Sequence, residues 1–572
     1  MEWIISPANT GFGIDTVDLE QQLAGFLSLI EACQHDPTGY LDASKCYCQL
    51  DQSAEAIRIL ELGIQFCPSA HVLYRSYINL LERLNRPEEA TLVAIRGRAV
   101  LPADLYLKLK EHLLLPIVYE SEEELIQYRN RYATGLEILT KDLKLDALHQ
   151  RRNAFDSIEG HDTFLLSYQG QNDRDIQVMY SDLVTRIVTA NAPPWYRPKQ
   201  ASEHGTANAP LRIGFVSSSV CYHSVTKLYL SWIRELDRAK FRSFVYHLGS
   251  RTDAWTRVVS LACNGEFRHV PLFETAAQSI TADNLDVLVF LDIGMLPRVR
   301  KLAALRLAPV QCATWGHPVT TGMAEIDYFL SSEQMEPPNS VGHYSEQLVT
   351  FPGVGLYFSH APIVKATFTK QRHEFGIRDD AVVYLCCQSS SKYLPQYDEL
   401  FGKIARQVHD ALFVFVATNR AAGEALRTRV RKALAGEAAD PDTHYLVLNE
   451  LGQHDYWNLN VLSDVFLDTP GWSGGVTSFE ALICGLPIVT MPGDSMRSRH
   501  TAGILRTIGL LDTIVSSPEE YVNVAIHLGR DAEFRNKQKY LIEEQIHGLY
   551  TDRRWIDQMD DFLTRVARDA SR

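Results

Sequence analysis

A chain of 572 residues is longer than one hydrophobic core organises (~250–300 residues), so several domains are expected. At 46% hydrophobic and 22% charged residues, with no apolar run near the ~20 residues a membrane span requires, the composition is that of a globular protein and excludes a membrane-spanning one. A net charge of −14 argues against nucleic acid as the main partner, since phosphate backbones are held by clustered Lys and Arg, but it leaves room for a basic pocket around a single nucleotide.

The opening residues, MEWIISPANTGFGIDTVDLEQQ, carry Glu2 and no basic cluster, so a secretory signal is not expected there. Ten cysteines at 33, 46, 48, 67, 221, 263, 312, 386, 387 and 484 form no CxxC pair, and most lie in apolar runs. They read as buried thiols of a reducing compartment, and a cytoplasmic location is expected. Residues 1–190 read as helical. Within them the sequence repeats itself at an offset of 34: Tyr40 maps to Tyr74, Leu50 to Leu84, Ala56 to Ala90, Gly63 to Gly97 and Pro68 to Pro102. That is the pattern of a tetratricopeptide unit, in which an aromatic fills the groove between paired helices and small residues permit close contact; two units fall at about 37–70 and 71–104. A plain helical bundle is the alternative. Amphipathic helices continue, as in EEELIQYRNRYATGLEIL at 122–139, until the Pro-rich stretch 191–210, which reads as a linker.

Beyond residue 210 short β-rich runs alternate with helical ones. The first series comprises 211–218, 241–249, 285–294, 309–316 and 326–332; the second comprises 382–389, 412–418, 445–450, 464–470 and 487–493. Strands alternating with helices imply parallel sheets covered on both faces. Two series imply two doubly wound α/β domains, 211–375 and 376–572, facing a cleft, with ligands at the carboxyl ends of the strands.

The segment DVFLDTPGWSGGVTSFEALICGLPIVTMPGD (464–494) places a small-residue loop between a buried strand and a helix start. Gly474 and Gly475 let the backbone approach a ligand, and the N–H groups of Gly475, Val476 and Thr477 offer a site for a pyrophosphate. Glu480, on the same helix face as Thr477, can accept the hydroxyls of a ribose. Taken alone, the segment is equally an ordinary strand–turn–helix.

This segment resembles the donor-binding loop of the O-linked N-acetylglucosamine transferase and SPINDLY family. Glu480 stands where many members have Asp, and Gly475 and Val476 stand where animal enzymes have His and Thr. Further motifs of the family appear ahead of this segment, in order: LRIGFVSSSVCYHSV (211–225), PVQCATWGHPVTTGMAEIDYFLSSEQMEP (309–337) and VVYLCCQSSSKYLP (382–395). The resemblance covers about 211–530. It implies a GT-B type glycosyltransferase behind an N-terminal helical repeat region.

On that resemblance Lys392 takes the position of an essential Lys that stabilises the leaving β-phosphate; a solvated surface Lys is the alternative. Gln388, in the same turn, is placed with the nucleotide-sugar ligands. His223 takes the position of a loop His that accepts a hydroxyl proton or holds the acceptor; otherwise it only hydrogen-bonds the backbone. His317, in GHPVTTG, is the rival catalytic residue. Thr320 and Thr321 would either bond sugar hydroxyls or phosphate, or cap the next segment. Tyr456, with His454 close by, would pass the base or ribose; Tyr456 and Trp457 are equally core aromatics. Arg497 and Arg499 would reach phosphate or the opposite domain, or form an exposed charged helix start. No metal site is expected: Asp173 and Asp175, and Asp440 and Asp442, have Asp-x-Asp spacing in unsuitable contexts.

The resemblance thus implies an inverting, metal-independent, cofactor-free transfer of a sugar, with UDP-N-acetylglucosamine the leading donor, to Ser or Thr hydroxyls of a polypeptide held by the repeats. Transfer of glucose from UDP-glucose to Asn, to which His317 lends weight, and of fucose from GDP-fucose to Ser or Thr remain open. So do a hydrolase or epimerase on the same fold and a repeat scaffold with an inactive catalytic half.

Overall fold

The computed structural model describes residues 16–199, 209–359 and 365–570. The opening stretch read above for a signal, up to residue 15, and the middle of the Pro-rich stretch, 200–208, lie outside the described residues. The chain forms two compact units. One comprises residues 1–119, 123–161 and 419–422; the other comprises 120–122, 162–418 and 423–572. Among the described residues no helix is long and apolar enough to cross a membrane. All ten cysteines are free thiols, and six of them are buried: Cys46, Cys67, Cys221, Cys312, Cys386 and Cys484.

The first unit begins with α1 (Thr16–Ala32), α2 (Pro37–Gln49), α3 (Ser53–Phe66), α4 (His71–Arg83), α5 (Pro87–Val100) and α6 (Leu105–Leu113). Each of α2, α3 and their connections recurs 34 residues later. Gly63 sits against the ring of Tyr40, where a Cβ would come within 2.9 Å of it, and Gly97 sits against Tyr74, where a Cβ would come within 2.8 Å. The Tyr40 hydroxyl donates to Gln34 O at 3.1 Å, and the Tyr74 hydroxyl donates to Pro68 O at the same distance. The turn residues Asp51 and Asn85, again 34 apart, both adopt positive φ (58° and 53°), a conformation that Asn and Asp tolerate better than other side chains. The offset found in the sequence is therefore an offset in structure: each unit is a helix–turn–helix whose aromatic lies against its partner's glycine.

The second unit holds two parallel sheets. The first contains β1 (Leu211–Ser217), β2 (Phe241–His247), β3 (Phe267–His269), β4 (Val287–Phe290), β5 (Val310–Thr314), β6 (Tyr328–Ser332) and β7 (Gln347–Phe351) in the spatial order β3-β2-β1-β4-β5-β6-β7. The second contains β8 (Val382–Cys386), β9 (Ala411–Ala417), β10 (Tyr445–Asn449), β11 (Val465–Leu467) and β12 (Ile488–Val489) in the order β10-β9-β8-β11-β12. Register is set with Leu211 opposite Phe241 and Ile213 opposite Val287 in the first sheet, and with Tyr384 opposite Phe413 in the second. Ten strands lie on the ten runs read from sequence. The short β3 and the edge strand β7 have no counterpart among those runs.

The terminal helix Arg554–Ala570 buries Trp555, Met559, Phe562, Leu563 and Val566, one stripe at helical spacing. It lies on the first sheet, with the Phe562 ring 5.2 Å from Tyr328 and 6.2 Å from Phe351. A larger departure concerns residues 162–190, which the sequence groups with the helical region. They pack into the second unit. Arg300, only 1% exposed, donates to Asp162 Oδ1 (3.0 Å), Thr163 Oγ1 (2.9 Å), Ser181 Oγ (2.9 Å) and the carbonyl of Thr321 (2.9 Å). The helix Arg174–Ala190 approaches the chain so closely at Gly322 (φ +70°) that a Cβ there would lie 2.3 Å from the Gln177 backbone. The start of the Pro-rich stretch is anchored too: the Arg306 N–H donates to the Tyr196 hydroxyl, and the Lys199 N–H to the Arg306 carbonyl.

Candidate functional site

Both sheets reverse strand order beside their first strand, between β1 and β4 and between β8 and β11. Such reversals splay the following loops apart and leave a crevice at the carboxyl ends. The loops bearing His223, Lys392 and residues 468–475 all leave these strands, and a cleft of ≈ 530 Å³ opens alongside, touched by Pro318, Thr320, Pro470 and Gly471.

The loop after β11 is folded around a carboxylate. Asp468 is buried; its Oδ1 accepts from the Gly474 N–H (2.7 Å) and its Oδ2 from the Thr490 hydroxyl (2.6 Å). Burial pushes its pKa above the ordinary carboxylate value, against the pull of these donors. The Ser473 hydroxyl donates to Thr501 Oγ1 (2.8 Å) and accepts from the Thr501 N–H (2.8 Å). No side chain fits at Gly474, where a Cβ would lie 2.3 Å from Ser478 Oγ and 2.8 Å from Gln388 Nε2. Gly475 caps the helix Val476–Ile483; the N–H groups of Ser478 and Phe479 return to its carbonyl. The N–H groups of Gly475, Val476 and Thr477 make no hydrogen bond among the described residues, so three adjacent donors remain open at the positive end of a helix.

Lys392 closes the turn Ser390–Lys392 after β8. Its ammonium donates to Gln388 Oε1 (2.8 Å) and Ser473 O (3.2 Å), while Gln388 Nε2 donates to Thr477 Oγ1 (2.7 Å). One buried glutamine thus ties the lysine to the helix start. Burial lowers the Lys392 pKa to about 8, opposed by the Asp468 carboxylate. The ammonium lies 5.9 Å from the Trp472 ring centre, and Trp472 in turn stacks on Tyr168 at 4.1 Å.

Glu480 meets a partner that sequence reading missed. Lys227, on the helix Ser224–Glu235 that follows β1, donates to Glu480 Oε1 at 2.7 Å; the two side chains are 5% and 7% exposed. Lys227 also donates to the Tyr222 hydroxyl (3.1 Å) and lies 4.4 Å from the centre of that ring. Burial pulls the lysine down, but the Glu480 carboxylate more than restores it. Glu480 Oε2 makes no hydrogen bond among the described residues. The sequence did carry a signal: the one charge in the first ten residues of that helix, four residues after His223.

The other candidates fall into two groups. Tyr456 adjoins the site, its hydroxyl 3.2 Å from Cys387 Sγ at the end of β8. His223 Nδ1 accepts from the Val225 N–H (3.2 Å), which leaves the proton of the neutral ring on Nε2; burial lowers its pKa to about 4, helped by Lys227 and Arg251. The remainder are packed away from the helix start. His317 is buried against Phe164 (5.7 Å, stacked), with Nε2 3.2 Å from Ser167 Oγ, and burial lowers its pKa to about 3. This is a wall position, not that of an exposed base. Thr320 and Thr321 were candidates for sugar contacts, but Thr320 Oγ1 donates to Glu346 Oε2 (2.6 Å), and the Thr321 hydroxyl and N–H both donate to Glu346 Oε1. These threonines satisfy the oxygens of a buried glutamate side chain. Arg497 is not an exposed helix start: it is buried, 3.1 Å from Asp173, and also donates to Gln171 O. Arg499 donates to Gly493 O, His454 is exposed beside Thr367, and Trp457 is buried. Asp175 is exposed, Asp440 caps the turn at Pro441, and Asp442 pairs with Arg431.

Known proteins are similar to this chain in sequence and in fold. The model of glycosyl transferase family 41 matches residues 140–367 and 359–554. The probable UDP-N-acetylglucosamine–peptide N-acetylglucosaminyltransferase SEC of Arabidopsis thaliana is 27% identical over 329 residues, 56% of this chain and 33% of that protein. The SPINDLY protein of Solanum lycopersicum, described likewise, is 27% identical over 327 residues, 56% of this chain and 35% of that one. The chain therefore spans about a third of the length of these curated relatives. Among solved structures, a mutant O-GlcNAc transferase of Thermobaculum terrenum shares the fold, with a TM-score of 0.68 and 21% identity over 98% of this chain and 99% of the other.

Proposed function

Because this chain belongs to glycosyl transferase family 41, we propose that it transfers a sugar from a nucleotide diphosphate to hydroxyls of a polypeptide, with UDP-N-acetylglucosamine as donor and Ser or Thr as acceptor. One observation carries the reading: Lys392 and the helix start at Gly475–Thr477 converge, joined through Gln388. A cation and three open N–H groups at one point form a receptor for a diphosphate, and they face the place where negative charge grows as the sugar–phosphate bond breaks. The curated relatives' names, which specify UDP-N-acetylglucosamine and peptide, support the choice of substrates.

In this reading the diphosphate rests on the N–H groups of 475–477. Lys392 meets the charge of the departing β-phosphate, and Gln388 holds the lysine in place. Glu480, steadied by Lys227, offers Oε2 to the ribose, and Tyr456 flanks the base. Positive charge from the lysine and the helix end serves the leaving group without a metal. With its Nδ1 used as a helix cap, His223 presents Nε2–H and acts as a donor that orients substrate, not as the base that removes the acceptor proton. The acceptor hydroxyl attacks the anomeric carbon from the face opposite the diphosphate as the bond to the β-phosphate oxygen breaks; its proton passes to solvent, the diphosphate departs with the electron pair, and configuration inverts. The helical repeats hold the polypeptide, and the free thiols fit a reducing, cytoplasmic setting.

The test is a panel of UDP-N-acetylglucosamine, UDP-glucose and GDP-fucose with peptide acceptors, read by intact mass. Mass gain from the first on Ser or Thr is expected. Gain only from UDP-glucose on Asn, or only from GDP-fucose, overturns the substrate assignment. Lys392→Ala should abolish transfer in a protein that stays folded; near-normal turnover refutes the leaving-group role.

A further inference from the structure

Gly475 presents open space on one side. A Cβ built there would have a single neighbour within 4 Å, the Nδ1 atom of His500 at 3.8 Å. His500 opens the helix His500–Thr507 and is 4% exposed. Its ring lies 5.5 Å from Trp315, and its Nε2 is 3.2 Å from Met496 Sδ. A thioether has no proton to give, so that contact places the ring proton on Nε2. Nδ1 then bears a lone pair, makes no hydrogen bond among the described residues, and is aimed at the helix start where three N–H groups are also open. The side chain is buried, yet Nδ1 itself keeps access to the open space beside Gly475, where a ligand can reach it. The charged groups bearing on it, Lys392 and Arg497, are both cations. With burial, which acts first, they keep the empty site's imidazole neutral.

We propose that His500 is a direct ligand of the donor's diphosphate and binds it as the imidazolium, taking one proton from solvent onto Nδ1 as the diphosphate enters. The inference rests on the donor-site reading above and adds a residue and a proton to it. A diphosphate brings at least two negative charges beside Nδ1. These offset the two cations, favour the protonated ring, and convert the lone pair into a donor for a phosphate oxygen. The side chain that Gly475 lacks is thus replaced by one from a helix that begins 25 residues later.

The test is calorimetric titration of the full chain at pH 7 with UDP-N-acetylglucosamine, whose diphosphate does not itself titrate there. It is run in two buffers of different ionisation enthalpy, with uridine as the control ligand. Uptake of about one proton is expected for the wild type and little for His500→Asn. The nucleotide-sugar Kd should weaken about tenfold to hundredfold in the variant. Unchanged uridine affinity shows that the variant is folded, and His500→Gln serves if Asn does not preserve it. Equal proton uptake in wild type and a folded variant overturns the proposal while leaving the donor site intact. A wild type that binds uridine but gains nothing from the diphosphate overturns both.

Discussion

Lys227→Met is the most incisive perturbation. Charges 2.7 Å apart attract by about 6 kcal/mol at an effective dielectric of about 20. Taking both ions out of water offsets most of that, so the intact pair adds little net stability. Removing one partner is different, because it leaves the other in a buried site without its counter-charge, at a cost of about 3–5 kcal/mol. Glu480 is then no longer held by the ammonium with Oε2 free for ribose hydroxyls. Losing the charge-assisted part of that contact is worth about 1–1.5 kcal/mol, or about tenfold in donor affinity. Calorimetry with UDP on the wild type, Lys227→Met, Glu480→Gln and the double variant tests this. Each single variant should bind about tenfold more weakly, and the double variant no more weakly than Glu480→Gln alone, since Lys227 acts only through the carboxylate. Single effects that multiply in the double variant would refute the argument.

The other predictions concern neighbouring groups. Lys392 is protonated below about pH 8 and neutral above it, so donor affinity should be level at lower pH and fall about tenfold per unit above 8. Lys392→Arg, charged throughout, should carry that decline out of range in a pH series of Kd. Gly474→Ala should abolish donor binding, because its Cβ strikes Ser478 and Gln388, whereas Gly475→Ala should fold normally and weaken only the diphosphate contribution; UDP and uridine titrations separate the two. Arg300→Met leaves Asp162 buried without its cation and should cost about 3–5 kcal/mol, seen as a lower urea midpoint for the second unit.

The strands were legible because those of parallel sheets are buried on both faces and read as continuous apolar runs, as VLVF does in β4. β3 escaped because two of its three residues, Arg268 and His269, are polar, and β7 because it lies on the sheet edge just before the expected domain boundary. The candidate donor loop stood out because its chemistry is local: glycines, a helix start and a carboxylate within a dozen residues. What could not be read is whatever distance in sequence conceals. Lys227 and Glu480 lie 253 residues apart. Arg497 looks like a surface charge until Asp173 is brought to it. Thr320 and Thr321 look free until Glu346 claims their hydroxyls. His500 lies 25 residues beyond Gly475, with nothing in the intervening pattern to link them.

The anchoring of residues 162–190 bears on how such a chain can be cut or recombined. The Pro-rich stretch looks like the natural seam, and a fragment starting there would contain every strand of both sheets. It would also lack Asp162, Thr163 and Ser181, leaving the Arg300 guanidinium in an apolar interior with few partners, and it would strip Tyr168 from the face of Trp472 beside Lys392. The chain passes into the second unit some thirty residues earlier, near His161, while residues 419–422 group with the first unit. A boundary for exchanging repeat regions therefore belongs at about 161, with the helix Arg174–Ala190 kept on the catalytic side, and an exchanged region must still receive Asn419 and Arg420, which bond Arg83 O and Asp51.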